Sequence, residues 1–141
     1  MSKCIGSFIL AGLLAIATAW GAEQSPETAQ AASVSEIVQA VHGATGYAIK
    51  DIEVNTADHQ VIVRIINSPL NGKKPTAREK EADKISGAVA KVIRTKAGFG
   101  EVQVIHVDYV KREANDSIHF HSIDAIDFRK DSNGEYRHHI T

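Results

Sequence analysis

The sequence predicts an α+β fold in which two helices cover one face of a five-stranded antiparallel sheet. Residues 77–97 carry apolar side chains at helical spacing, which predicts a helix with one buried face. Residues 60–67 and 102–110 are rich in β-branched residues, as is typical of strands. Near the end of the chain, Asn133-Gly134 indicates a tight hairpin turn. Together these observations predict the element order α-β-β-α-β-β-β.

The N-terminus has the composition of a secretory signal peptide, which we place at residues 1–21. Lys3 precedes an uncharged apolar stretch that ends in small residues, so cleavage is expected after Ala19 or Gly21. The alternative is an uncleaved anchor, because the apolar stretch approaches the ~20 residues that span a bilayer. We expect a periplasmic or secreted protein.

The next segment, residues 22–32, is polar and small and is interrupted by proline, as is typical of a flexible linker. The remaining residues, 33–141, have room for one domain with a single core. The chain is therefore expected to contain a signal peptide, a linker and one α+β domain.

Composition excludes several classes of function. The only cysteine, Cys4, and the only methionine, Met1, lie in the predicted signal peptide. The mature domain then has no disulfide, thiolate nucleophile, iron–sulfur cluster or copper(I) site built from Met and Cys. The formal net charge is −1 and becomes more negative once Lys3 is removed. No general basic field attracts a phosphate backbone, so we do not expect a nucleic-acid partner.

The first helix is expected to begin at Ser33, because a glutamate three residues later completes a capping box. It is expected to end at Gly43 or Gly46. Tyr47 to Thr56 and Gln60 to Asn67 then predict two strands joined by a tight turn.

The long helix is expected to begin near Ala77, because Thr76 and a glutamate three residues later form a second capping box. Gly98 ends it with a left-handed residue. Three strands are expected to follow: Val102 to Val110, Ser117 to Arg129 and Glu135 to Ile140.

The order of the strands follows from the connection through the long helix. A right-handed crossover leaves the second and third strands parallel to each other. If the first strand lies between them, every neighbouring pair is antiparallel and the order is 2-1-3-4-5. Both helices then cover one face, and the other face is free to meet solvent or a partner.

The order helix, two strands, helix and strand in the middle of the chain resembles that of the BON domain, a small bacterial envelope module. The resemblance concerns element order alone, without the glycine pattern of that family, so it implies nothing about function or site residues.

A histidine-rich pattern suggests a transition-metal site. His106 and Asp108 are two residues apart on one predicted strand, and His119 and His121 are two apart on the next. Residues two apart on a strand share a face. If Val107 lies opposite residue 120, all four side chains converge. Three imidazoles and a carboxylate suit Zn²⁺, Cu²⁺ or Ni²⁺. The alternative is that these residues are ordinary occupants of a solvated sheet face.

A second pattern suggests an interaction edge. The strand that contains Val61, Val63 and Ile65 is apolar on both faces, yet the predicted order leaves it at the edge of the sheet. An apolar edge is an aggregation hazard unless it is covered. Either the first helix shields it, or a peptide or a second copy of the chain pairs with it.

The function predicted from the sequence is a non-catalytic interaction or ligand-binding module of the cell envelope. Its expected partner is an envelope protein, a peptide or a second copy, with membrane contact only through an uncleaved signal segment. A transition-metal-binding protein that uses the His/Asp cluster is the first alternative, and a small hydrolase that uses the same histidines is the second. No nucleophile elbow supports the hydrolase.

Overall fold

The structure, a computed structural model, describes residues 26–116 and 118–140. Within these residues it has two α-helices and a five-stranded sheet, which confirms the α+β class and the element order. The elements are α1 (Pro26–Thr45), β1 (Ile52–Ala57), β2 (Gln60–Ile66), α2 (Pro75–Ile93), β3 (Val104–Arg112), β4 (Phe120–Lys130) and β5 (Tyr136–His138). The predicted signal peptide, residues 1–21, lies outside the described residues.

Both helices begin earlier than the capping boxes predict. α1 begins at Pro26, so residues 26–32 of the predicted linker belong to a helix and Ser33 lies inside it. α2 begins at Pro75, and Thr76 lies in its first turn. Proline is favoured at the first helical position, where its fixed φ suits the helix and its missing N–H has no intrahelical acceptor. In α2 the proline, rather than Thr76, marks the start.

The predicted strand order is wrong. The sheet has the order β1-β2-β3-β4-β5, and β2 and β3 are direct neighbours that run parallel. The sheet is therefore mixed, with antiparallel pairing everywhere else along it. The helical crossover does make β2 and β3 parallel, as expected, but β1 does not lie between them.

The composition of the first two strands explains this order. β2 reads QVIVRII and presents apolar residues on both faces, which suits a strand that has a neighbour on each side. β1 reads IEVNTA and is half polar, which suits an edge. The residues between β1 and β2, Asp58 and His59, both have positive φ, so the two strands form a tight hairpin. β1 therefore pairs with β2 and occupies the outer position.

The core lies between the sheet and the two helices. Ile37 and Val41 of α1, Ile85 and Val89 of α2, and inward residues of β1 to β4 form one buried cluster, and Tyr136 of β5 packs against it while partly buried. The inward residues of β2 and β3 are Val61, Val63, Ile65, Ile105, Val107 and Tyr109. Both helices therefore cover the same face of the sheet. Within the described residues, neither helix is long and apolar enough to cross a membrane.

A buried polar cluster joins α2 to the loop before it and to the sheet. The Arg78 side chain donates to the Leu70 and Lys73 carbonyls at 2.9 and 2.8 Å, and its Nε donates to Asp124 at 2.7 Å. One turn further along α2, Glu81 accepts hydrogen bonds from the Tyr109 hydroxyl at 3.1 Å and from the Tyr47 hydroxyl, whose closer contact is 2.9 Å. These bonds satisfy polar groups that would otherwise be costly to bury.

Candidate functional site

The face of the sheet opposite the helices is the candidate site. Side chains alternate along a strand, so residues 62, 64 and 66 of β2 point away from the helices. The registers place residues 106, 108 and 110 of β3 and residue 53 of β1 on the same side. We call this side the open face, because α1 and α2 both pack on the other side of the sheet. Ile66 and Val110 on the open face are nonetheless buried.

A row of charged side chains crosses three strands of the open face. Glu53 lies opposite Arg64 in the β1–β2 register, and Arg64 lies beside Asp108 in the β2–β3 register. Arg64 Nη1 is 3.2 Å from a Glu53 carboxylate oxygen, and Arg64 Nε is 3.5 Å from Asp108. The central arginine of β2 therefore has an acidic partner on each neighbouring strand.

Two further residues complete this network. Arg112 Nη2 donates to the second oxygen of Glu53 at 2.7 Å, and Ser122 Oγ donates to Asp108 at 2.6 Å. Only 9% of the Asp108 side chain is exposed, so this carboxylate is almost fully withdrawn from water. We call Glu53, Arg64, Asp108, Arg112 and Ser122 the ion network.

The ion network also fixes an aromatic side chain. The guanidinium carbon of Arg64 lies 4.1 Å from the centre of the Phe120 ring, a cation–π geometry. Phe120 remains 36% exposed and Ile123 on the same strand remains 40% exposed. Apolar surface therefore lies beside the charged row.

The pKa of Glu53 reflects the two arginines beside it. Partial burial works to raise the pKa of this carboxyl, but hydrogen bonds and charge from Arg112 and Arg64 hold it below its usual range. Glu53 is therefore an anion at neutral pH. Its contribution to stability is present above the ordinary pKa of a glutamate and is lost as the pH falls through the lowered value.

A separate His–Asp pair lies on the open face, next to the ion network. His106 on β3 lies opposite Asp127 on β4, and His106 Nδ1 is 2.6 Å from Asp127 Oδ1. Both side chains are partly exposed. The pair extends the polar part of the face toward β5.

The predicted register between the third and fourth strands is wrong. Val107 lies opposite Ile126 instead of residue 120, because β3 continues to Arg112 and the β3–β4 hairpin closes at the Arg112–Phe120 pair. As a result His106 faces Asp127, Asp108 faces Ala125, and His121 faces Lys111.

The four predicted metal ligands are therefore dispersed. His119 precedes β4, is highly exposed and pairs with Asp116 at 2.7 Å. Asp108 is held by Arg64 and Ser122, and His106 by Asp127. No group of three or more His, Cys, Asp or Glu residues within residues 26–116 and 118–140 is arranged to hold a metal ion.

The strand predicted to be an interaction edge does not lie at an edge of the sheet. Val61, Val63 and Ile65 lie on β2, which is paired on both sides, and each side chain is fully buried against the helices. This strand is the interior of the sheet, so its apolar sequence needs no partner from outside the chain.

The ion network was not predicted from the sequence, although β2 contains a signal for it. Arg64 interrupts an otherwise apolar strand, and a charge in an interior strand needs opposite charges on its neighbours. Glu53 and Asp108 supply these charges, but their registers with Arg64 depend on the strand order. The network therefore becomes visible only with the correct order.

Comparisons with known proteins give no family for this chain: a scan against protein-family models, a search of curated proteins and a search of solved structures each found no match.

Proposed function

We propose that this protein is a non-catalytic binding module of the cell envelope that recognises a protein partner through the open face of its sheet. The observation that carries the proposal is the ion network, which holds Arg64 against a partly exposed Phe120 on a face that no described helix covers. Arginine and aromatic side chains are the residues most often found at the centre of protein interfaces.

The hydrogen bonding of the polar groups favours recognition over catalysis. Ser122 donates to Asp108, and His106 is paired with Asp127, so serine and histidine are engaged with different carboxylates. A nucleophile needs a base within hydrogen-bond reach to be activated. Side chains that satisfy one another form a rigid surface, which lowers the entropy lost on binding.

The exposed apolar residues give the face its expected binding energy. Phe120 stacks on Arg64, whose charge is already paired, so a partner can cover Phe120 without leaving that charge unpaired. We therefore expect the partner to place an apolar or aromatic side chain against Phe120.

Site-specific photo-cross-linking in cells that naturally make the protein tests the open face. A photoreactive residue is placed at Asn55 or Ala125, which are exposed on that face, and at Lys84 on the outer surface of α2 as a matched control. The proposal predicts one product of defined mass from the first two positions and none from Lys84. It also predicts that Phe120→Ser abolishes the product. Equal products from all three positions, or none from any, would contradict it.

The location in the envelope is a separate part of the proposal and rests on the N-terminal sequence. We propose that residues 1–21 are removed on export, after Ala19 or Gly21. Mass spectrometry of protein recovered from the periplasm or medium of a bacterial host should find an N-terminus at Trp20 or Ala22. Intact Met1 on protein confined to the cytoplasm would contradict export.

A further inference from the structure

β4 is much longer than the strand that pairs with its outer side. β4 spans Phe120–Lys130, whereas β5 pairs only with residues 128–130. One more bond, from the His139 N–H to the Asp127 carbonyl at 2.8 Å, continues the pairing. Within residues 26–116 and 118–140, no backbone partner is found on the outer side of residues 120–126. We call this stretch the β4 edge.

The direction of the backbone groups along the β4 edge follows from their neighbours. The Asp127 carbonyl points outward to His139, and backbone groups alternate along a strand, so those of Ala125 also point outward. Further along, the Val110 carbonyl of β3 accepts from the Asn67 N–H on the β2 side. The backbone groups of Val110 therefore face β2 and not β4. Ser122 lies opposite Val110, across a bulge, so its own backbone groups point away from β3.

A cleft of about 310 Å³ lies beside this edge. Three carboxylate side chains line it: Glu79 from the first turns of α2, and Asp124 and Asp127 from β4. His138, His139 and Ile140 also line it. Among the described residues, no Lys or Arg lines the cleft. Glu79 makes no ion pair within this part of the chain, whereas Asp124 is paired with Arg78 and Asp127 is hydrogen-bonded with His106. The cleft therefore suits a positively charged side chain.

We infer that the β4 edge binds an extended segment of a partner protein by strand addition, with a Lys or Arg of that segment in the cleft beside Glu79. This inference rests on the proposed function and names how the partner is held. The segment continues the line of β5, and its backbone bonds to the outward groups of Ala125 and Ser122. Its apolar side chains cover Ile123 and Phe120.

Two proline variants test which edge of the sheet binds the segment: Ala125→Pro changes the β4 edge, and Thr56→Pro changes the opposite edge, on β1. Proline at residue 125 removes an outward N–H and leaves the bonds to β3 intact, a position that strands tolerate. Residues Ala57 and Gln60 close the tight β1–β2 turn, so the neighbouring Thr56 has an outward N–H on β1. Circular dichroism and the denaturation midpoint check that both variants fold.

The probe is a set of peptides selected from a random display library against the mature chain. We expect the selected peptides to be basic, and Ala125→Pro to weaken their binding about tenfold or more, since one lost hydrogen bond is worth about 1.4 kcal/mol. Thr56→Pro should change the Kd by less than about twofold, because its edge is not used. Hydrogen exchange on the wild-type chain gives a second readout: bound peptide should slow the Ser122 and Ala125 amides.

The possible negative outcomes separate the inference from the proposed function. Peptides that tolerate Ala125→Pro but are lost with Phe120→Ser would overturn the edge and leave open-face recognition standing. Failure to select any peptide, or selection of acidic ones, would also overturn the edge, while the cross-linking experiment still decides the proposed function. A dimer that Ala125→Pro dissociates would show that the edge binds a second copy, contrary to the inference.

Discussion

Replacing Arg64 by methionine should destabilise the domain far more than replacing an exposed arginine. The substitution would remove the contacts with Glu53 and Asp108 and the cation–π contact with Phe120. It would leave the Asp108 carboxylate, which is only 9% exposed, with Ser122 as its partner.

The magnitude follows from burial. Loss of a charge-assisted bond to a buried group costs about 1.5–3 kcal/mol, and the cation–π contact contributes about 0.5–1 kcal/mol. Glu53 is more exposed and keeps its ion pair with Arg112, so the loss of its contact with Arg64 adds little to the destabilisation. We expect a loss of about 2–3 kcal/mol in the free energy of unfolding.

The matched control is Arg94→Met, which breaks an ion pair with Glu135 in which both side chains are about half exposed. It should cost less than about 1 kcal/mol and depend more on salt. Urea unfolding of the tag-free protein measures both variants. A double-mutant cycle with Asp108→Asn should give a coupling energy of about 1 kcal/mol or more. The reasoning is refuted if Arg64→Met costs no more than Arg94→Met, or if the coupling is absent.

Two further predictions concern stability. Burial, with the Glu81 carboxylate, raises the pKa of Tyr47 to about 12 and that of Tyr109 also above its ordinary value, and burial raises the pKa of Tyr136. The folded chain thus keeps phenol protons that the unfolded chain releases, so stability should fall as the pH rises above ~10. Tyrosinate absorbance should be nearly absent at that pH and appear together with unfolding; gradual ionisation of a folded chain would contradict this. Gly87→Ala, at an open helical position, should stabilise by about 0.5–1 kcal/mol, whereas Gly98→Ala, at φ +90°, should destabilise by about 1–2 kcal/mol. Thermal unfolding measures both, and shifts of the same sign would contradict the assigned backbone.

The elements could be predicted because their signals are local. Helical spacing in residues 77–97 and the β-branched run of β2 depend only on residues close in sequence. The strand order could not be read in the same way, because both candidate orders satisfy a right-handed crossover. The apolar character of both faces of β2 was the decisive observation. A strand that is apolar on both faces belongs in the interior of a sheet, and placing β2 there gives the observed order.

The candidate site was harder to predict because it depends on pairing registers. The metal hypothesis needed residue 120 opposite Val107, and β4 instead places Ile126 there. Residues 120 and 126 are an even number of positions apart, so both registers keep the same alternation of inward and outward residues. Hydrophobic pattern alone therefore cannot distinguish them. In the observed register the carboxylate partner of His106 is Asp127, a contact that the predicted register did not contain.

Amide hydrogen exchange along the strands tests the central claim most directly, namely that β2 is interior and that residues 120–126 of β4 have no strand partner on their outer side within the described part of the chain. An interior strand bonds all its N–H groups, whereas an edge strand bonds alternate ones. The account predicts slow exchange at every amide of Gln60–Ile66, and fast exchange at Ser122 and Ala125 between slow neighbours. Alternating protection along β2, or uniform protection along residues 120–126 of the unbound chain, would contradict it.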